Sequence, residues 1–215
     1  MKTTISLKQI NTLAIPAIIA GISEPILSLT DAAIVGHMPI HATESLAAVG
    51  VVTAFLSMLI WVLGQSRSAI SSIISQHVGA NKLEEVKNLP AQAIAIVLGI
   101  SFVVCCLTYP FSNAIFKLYN ASGLLLDYSV SYYKIRILGL PFTLYTFAIF
   151  GVFRGLQNTY YPMLIAITGA LVNIVLDFAL VYGIKDVFLP LNLKGAAFAS
   201  VLSQLLMALL ATYFI

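Results

Sequence analysis

Residues 13–37 read LAIPAIIAGISEPILSLTDAAIVGH, a stretch of 25 residues that is apolar enough to cross a bilayer. Two acids, Glu24 and Asp31, lie seven residues apart on roughly the same helical face, where a simple membrane anchor would carry leucine. Because an ionised carboxylate is costly in hydrocarbon, acids in such helices usually face a cavity and mark an ion or substrate path. Pro16 and Pro25 predict kinks, because proline lacks a backbone donor. The stretch therefore predicts a transmembrane helix with a functional role.

The composition of the whole chain is that of an integral membrane protein. Of its 215 residues 60% are hydrophobic and only 9% are charged, with a mean hydropathy of +0.99, whereas soluble domains carry about a quarter charged residues. Its eleven basic residues are scattered without a patch or interleaved aromatics, which excludes a nucleic-acid-binding protein. The sequence shows no nucleophile–base arrangement, phosphate loop or metal-ligand spacing, so we expect neither an enzyme nor a cofactor.

Hydropathy predicts an all-α membrane protein, with residues 1–215 forming a single bundle of six transmembrane helices. The second helix is predicted to be long, because it becomes amphipathic after Leu63 and continues to Gly79 beyond the membrane. Pro141 predicts a kink in the fourth helix. The predicted spans are residues 10–36, 46–78, 89–109, 130–153, 162–183 and 195–215.

A second acid inside the membrane, Asp177, lies in the fifth span, with Asn173 one turn earlier on the same face. The first and fifth spans cross in the same direction, so the depths of their side chains can be compared directly. Asp31 lies five residues before Gly36 and Asp177 lies six before Gly183, which puts each carboxylate roughly 8–9 Å inside the same end of the membrane. Two carboxylates and an amide at matched depth predict an oxygen-rich site for Na⁺ or H⁺.

Simpler roles stay open for several charged residues. An Asp near a helix end can reach interfacial water, and Glu24 can be a packed, protonated side chain rather than an accessory acid of the site. Lys134 and Arg136 lie in the first turns of the predicted fourth span, where long basic side chains can snorkel to the interface. We interpret Arg67, in the amphipathic end of the second span, as snorkelling or structurally paired.

Five segments carry a resemblance to a known family. In chain order they are LTDAAIVGH, SQHVGANK, FRGLQNTYYPM, GALVNIVLDFALVYG and KGAAFASVLSQ. In this order and at this spacing they resemble the multidrug and toxic compound extrusion (MATE) transporters, and most closely the branch named for the DNA-damage-inducible protein F. The resemblance covers nearly all of the 215 residues.

The resemblance implies secondary active efflux of drugs or other organic compounds, coupled to H⁺ or Na⁺, by alternating access between two six-helix lobes. In the family a carboxylate on helix one and an Asn and an Asp on helix five form the cation site of the N-terminal lobe, and these fall on Asp31, Asn173 and Asp177. A hydroxyl on helix six falls on Ser200, where the family more often has Thr. Glu24 occupies a position that is commonly apolar in this branch, so its role is not inherited.

Length is the main departure from the family, whose members have about twelve helices. We expect this chain to be an N-terminal lobe only, and its end within the apolar segment ATYFI favours truncation over a half-transporter that dimerises. The expected partners are the lipid bilayer, a small organic substrate and a second six-helix lobe, but no nucleic acid.

We expect the bacterial inner membrane as the location, with a cytoplasmic N-terminus. Six basic residues on the N-terminal side against five on the other favour this orientation. The alternative functions are a lipid-linked precursor flippase of the same superfamily, which would have a more cationic cavity, and a non-transporting membrane fragment or scaffold.

Overall fold

The computed structural model describes residues 6–184 and 189–215, apart from the side chain of Glu24. Within these ranges it contains nine α-helices and two short 3-10 segments, Leu83–Val86 and Ile137–Gly139. The helices are α1 (Leu7–Gly36), α2 (Ala42–Leu63), α3 (Ser66–Gly79), α4 (Leu89–Thr108), α5 (Ser112–Leu118), α6 (Gly123–Arg136), α7 (Leu140–Gly155), α8 (Tyr160–Tyr182) and α9 (Leu193–Phe214).

Six helical segments of the described chain are long and apolar enough to cross a membrane. Three of them are compound: α2 continues into α3, a 3-10 turn leads into α4, and α6 continues through a 3-10 turn into α7. The predicted all-α membrane fold with six transmembrane helices is confirmed. The six segments are Leu7–Gly36, Ala42–Gly79, Leu83–Thr108, Gly123–Gly155, Tyr160–Tyr182 and Leu193–Phe214.

The second span is not the single continuous helix that was predicted, because α2 and α3 meet at a turn. The turn falls at Gly64, where a Cβ atom would come within 3.0 Å of the Phe147 ring on α7. Glycine therefore lets α7 approach the chain closely at the point where the helix is interrupted. Beyond the turn α3 packs along α7, and the Arg67 guanidinium lies 4.7 Å from the centroid of the same Phe147 ring. This cation–π contact is a structural role of the kind predicted for Arg67.

The fourth span is interrupted next to Pro141, where a kink was predicted. Pro141 has no N–H to bond the carbonyl of Ile137 one turn earlier, and the chain tightens into the 3-10 turn Ile137–Gly139. The Cys105 thiol on α4 donates to the Ile137 carbonyl, with 3.4 Å between sulfur and oxygen. The Ile137 carbonyl also accepts from the backbone N–H of Leu140, so the 3-10 turn and a neighbouring helix satisfy it together.

The start of the fourth span was predicted too late, and this changes the position of two basic residues. The helix begins at Gly123 rather than near residue 130. Lys134 and Arg136 therefore lie in the last turn of α6, and their predicted placement in the first turns of the span is wrong. Lys134 lies over the Tyr109 ring, with Nζ 5.4 Å from the ring centroid.

Small residues bring α8 and α9 together. A Cβ atom on Gly195 of α9 would lie 2.8 Å from the backbone nitrogen of Val181, so glycine is needed for this approach. Ala196, Ala197 and Ala199 follow it and are buried. Close packing of small residues is a principal source of helix association in membranes. The contact places the middle of α9 against the polar residues of α8.

Hydrogen bonds tie α1 to α8 at two points. The Thr159 hydroxyl, directly before α8, donates to the carbonyl of Leu13 (3.0 Å). The Tyr182 hydroxyl, at the other end of α8, donates to the carbonyl of Ile34 (2.8 Å), which belongs to the last turn of α1. The two prolines of α1 lie between these points, so the helix is held at both ends and weakened in between.

Candidate functional site

The four residues assigned to a site from the sequence come together where α1, α8 and α9 meet. Asp31 lies on α1, Asn173 and Asp177 on α8, and Ser200 on α9. Asp31 is 7% exposed, Ser200 is 2% exposed, and the other two are fully buried. The spacing of four residues on α8 directs its amide and its carboxylate to the same side of the helix. Because buried polar groups destabilise a fold unless they are paired, these side chains need one another.

The amide of Asn173 bridges the two carboxylates. Its nitrogen donates to Oδ1 of Asp31 (3.0 Å) and to Oδ2 of Asp177 (3.1 Å), while its oxygen accepts from the backbone N–H of Ser200 (3.2 Å). This amide orientation is assigned from the hydrogen bonds, because the reverse one would set the oxygen against two carboxylates. A single side chain therefore connects α1, α8 and α9.

The two carboxyl groups also lie within hydrogen-bonding range of each other. Carboxylates this close repel each other unless a proton or a cation offsets their charge. Oδ1 of Asp177 has no hydrogen-bond partner within the described chain, so a buried carboxylate oxygen is free to act as an acceptor or ligand. Hard cations prefer such oxygen ligands, and a carboxyl pair can equally share a proton.

Two residues of α6, Tyr132 and Arg136, also surround the carboxylates and were not predicted. The Arg136 guanidinium lies in electrostatic range of both Asp31 and Asp177, and the Tyr132 phenol lies against Arg136. Their spacing of four residues puts both on one face of α6, and this signal was present in the sequence. The late predicted start of the fourth span concealed it, because Arg136 then lay in a first turn at the interface.

The remaining candidates have less defined roles. The Ser200 hydroxyl donates to the carbonyl of Ala196 (3.1 Å), so Ser200 meets Asn173 through its backbone. Its hydroxyl oxygen keeps lone pairs for a ligand, and its role in cation binding stays a prediction. Glu24 lies two turns before Asp31 on α1. Its side chain falls outside the described structure, so its accessory role stays a prediction too.

A bundle of membrane helices with paired, buried acids is typical of secondary transporters. A profile of the MatE family matches residues 16–179. The chain therefore belongs to the MatE family.

Curated relatives of the chain are about twice its length. DNA damage-inducible protein F of Escherichia coli is 30% identical, over 94% of this chain and 42% of its own length. The probable multidrug resistance protein NorM of Thermotoga maritima is 25% identical, over 97% of this chain and 44% of its own length. The chain thus spans less than half the length of these relatives.

Solved structures also match nearly all of this chain over less than half of their own length. A MATE transporter in the bent conformation matches with a TM-score of 0.87 at 25% identity, over 96% of this chain and 44% of that chain. A MOP superfamily transporter from Pyrococcus furiosus matches with a TM-score of 0.86 at 25% identity, over 96% of this chain and 44% of that chain. That transporter has a binding pocket of reverse polarity. The predicted resemblance to one six-helix lobe of a MATE transporter is confirmed.

Proposed function

We propose that this chain is the N-terminal lobe of a secondary active antiporter, which exports drugs or other organic compounds in exchange for H⁺ or Na⁺. The observation that carries the proposal is the buried cluster of Asp31, Asn173 and Asp177 between α1 and α8. Membership of the MatE family and similarity to a probable multidrug resistance protein support organic compounds as the cargo.

Ion binding at this cluster would act on the shape of α1. A bound proton or cation offsets the repulsion between Asp31 on one helix and Asp177 on the other, and so holds the two helices together. Release of the ion restores the repulsion, and α1 bends at Pro16 and Pro25, where the backbone lacks donors. A local change of charge that tips a two-state element is a common form of molecular switch. Similarity to a MATE transporter in the bent conformation supports such a movement.

The complete cycle also involves groups outside this chain. A second six-helix lobe would form the opposing wall of the substrate cavity, and the substrate would bind between the lobes. We place the protein in the bacterial inner membrane with its N-terminus in the cytoplasm, since the basic flanks and short turns favour that orientation.

Ion binding to the purified chain in detergent tests the proposed site. Radiolabelled Na⁺ and a pH-indicator dye would measure Na⁺ binding and proton uptake in parallel, for the wild type and for Asp31→Asn and Asp177→Asn. Asp127→Asn is the matched control, because it makes the same chemical change at an exposed position of α6.

We expect the wild type and the control to bind an ion by at least one of the two readouts, and both site variants to lose that binding. Wild-type ion binding in both site variants would show that the cluster is not the coupling site.

A further inference from the structure

The Tyr182 hydroxyl connects the end of α8 to the turn of α1 that carries Asp31. It donates to the carbonyl of Ile34, with 2.8 Å between the two oxygens. Ile34 follows Asp31 by three residues, which is less than one helical turn. The hydrogen bond therefore joins α1 to α8 within one turn of the buried carboxylate cluster.

The Ile34 carbonyl lies where α1 can no longer satisfy its own backbone. Carbonyls in the last turn of a helix lack the usual donor four residues later. For Ile34 that donor would be the N–H of Met38, which bonds the carbonyl of Val35 instead (3.2 Å). The N–H of His37 reaches the Ile34 carbonyl at 3.3 Å. The phenol of Tyr182 comes closer than this backbone donor, so a side chain of α8 makes the shorter of the two bonds.

Tyr182 extends from a helix end that is itself held in place. Backbone N–H groups from the segment before α9 bond the last carbonyls of α8. The N–H of Leu191 donates to the carbonyl of Leu180 (2.9 Å). The N–H of Asn192 donates to the carbonyl of Val181 (3.2 Å), and Val181 is buried. The hydroxyl of Tyr182 is therefore a fixed point against which α1 can be held.

The turn of α1 that carries Asp31 is the part of the pair that can move. Pro16 and Pro25 precede it, and each removes a backbone hydrogen bond from the helix. The segment from Asp31 to Ile34 contains no proline, so it moves as one body. A contact that fixes Ile34 therefore also fixes Asp31.

We infer that Tyr182 is a positioning residue for the ion site: its hydroxyl holds Asp31 beside Asp177 and so raises the affinity of the acid pair for its coupling ion. The inference rests on the proposed function, because it concerns the same site. A similar hydrogen bond runs from the Thr159 hydroxyl to the carbonyl of Leu13 (3.0 Å). That bond should not act on the site, since both prolines of α1 separate Leu13 from Asp31.

Ion binding to the purified full chain in detergent tests this role, with radiolabelled Na⁺ and a pH-indicator dye as the probes. Tyr182→Phe removes the hydroxyl and keeps the ring. Thr159→Val removes the hydroxyl at the other end of α1, and Tyr213→Phe repeats the loss of a phenol at an exposed position of α9. We expect Y182F to weaken the ion affinity by about 2- to 10-fold, the net effect of one hydrogen bond on an equilibrium. T159V and Y213F should bind the ion as the wild type does, although T159V should lower the melting temperature to a similar extent as Y182F.

Hydrogen exchange gives a second readout that needs no variant. If the Tyr182 hydrogen bond favours ion binding, ion binding must favour that hydrogen bond in turn. The ion that the wild type binds should therefore slow amide exchange in residues 31–36 when it is saturating, and should leave exchange around Leu13 unchanged.

The inference is overturned if folded Y182F binds the ion as tightly as the wild type, or if T159V weakens binding equally, which would indicate general loosening of α1 from α8. Unchanged exchange in residues 31–36 of the ion-bound wild type would overturn it as well. The proposed function fails on different results, namely unchanged ion binding in D31N and D177N, or a wild type that binds neither ion.

Discussion

Among single residues, Asn173 holds more of the site together than its neutral side chain suggests. Its amide donates to both buried carboxylates and accepts from the backbone of Ser200. Asn173→Ala would leave carboxylate oxygens buried without these donors, and each such loss costs about 1–3 kcal/mol. We therefore expect the free energy of unfolding to fall by about 1–3 kcal/mol, measured by detergent-induced unfolding of the purified chain.

Asn88→Ala provides the comparison for this variant. Asn88 is exposed before α4 and its side chain makes no cap hydrogen bond, so its loss should change the stability by less than about 0.5 kcal/mol. Equal stability of the two variants would contradict the bridging role of the Asn173 amide.

The proximity of Asp31, Asn173 and Asp177 was predictable because it depends on helical rise and side-chain period alone. The depth of each carboxylate in the membrane is measured from the end of its own helix. An error of one residue in a helix boundary changes that depth by only about 1.5 Å. The neighbourhood of Arg136 was not predictable in this way, because it depends on where α6 begins. The side-chain hydrogen bond of Ser200 depends on rotamer choice, which a sequence does not display.

At the level of helices, the contact between α3 and α7 depends on glycines that let two backbones approach. A Cβ atom on Gly155 would lie 2.6 Å from Cβ of Ile74 and 3.1 Å from the carbonyl oxygen of Ser71. Neither atom is the flexible end of a side chain, so Gly155→Ala would force the helices apart. Overpacking of this kind costs about 1–3 kcal/mol, and we expect a corresponding loss in the unfolding free energy in detergent.

Gly99→Ala is the matched control, since Gly99 lies within α4 and has open space where its Cβ would be. Alanine in place of glycine in a helix interior typically stabilises by about 0.5–1 kcal/mol, so G99A should be neutral or more stable. A G155A variant as stable as G99A would mean that α3 and α7 are not held at this distance.

The helices themselves were predictable to different degrees. Long apolar runs such as those of α8 and α9 are visible in hydropathy, because every face of such a helix meets lipid or other apolar helices. The turn between α2 and α3 at Gly64 was missed, because an isolated glycine is tolerated inside a helical pattern and does not by itself mark a break. The break next to Pro141 was predictable, since proline acts locally. The additional hydrogen bond from the Cys105 thiol on α4 to the Ile137 carbonyl was not predictable, because it comes from another helix.

For the molecule as a whole, the buried cluster of Asp31, Asn173 and Asp177 lies within one lobe, whereas the proposed substrate cavity requires two. The cluster is complete within this chain, because its members lie on α1, α8 and α9. The cavity of an alternating-access transporter needs two lobes that move against each other.

We therefore predict that the chain expressed alone in an efflux-deficient bacterium will not extrude ethidium, although the purified chain binds its coupling ion. Co-expression with a six-helix C-terminal lobe of a MatE relative should produce ion-driven ethidium efflux from inverted membrane vesicles. The same pair carrying Asp177→Asn should not. Ion-driven efflux by this chain alone would contradict the need for a different second lobe and would identify two copies of the chain as the working unit.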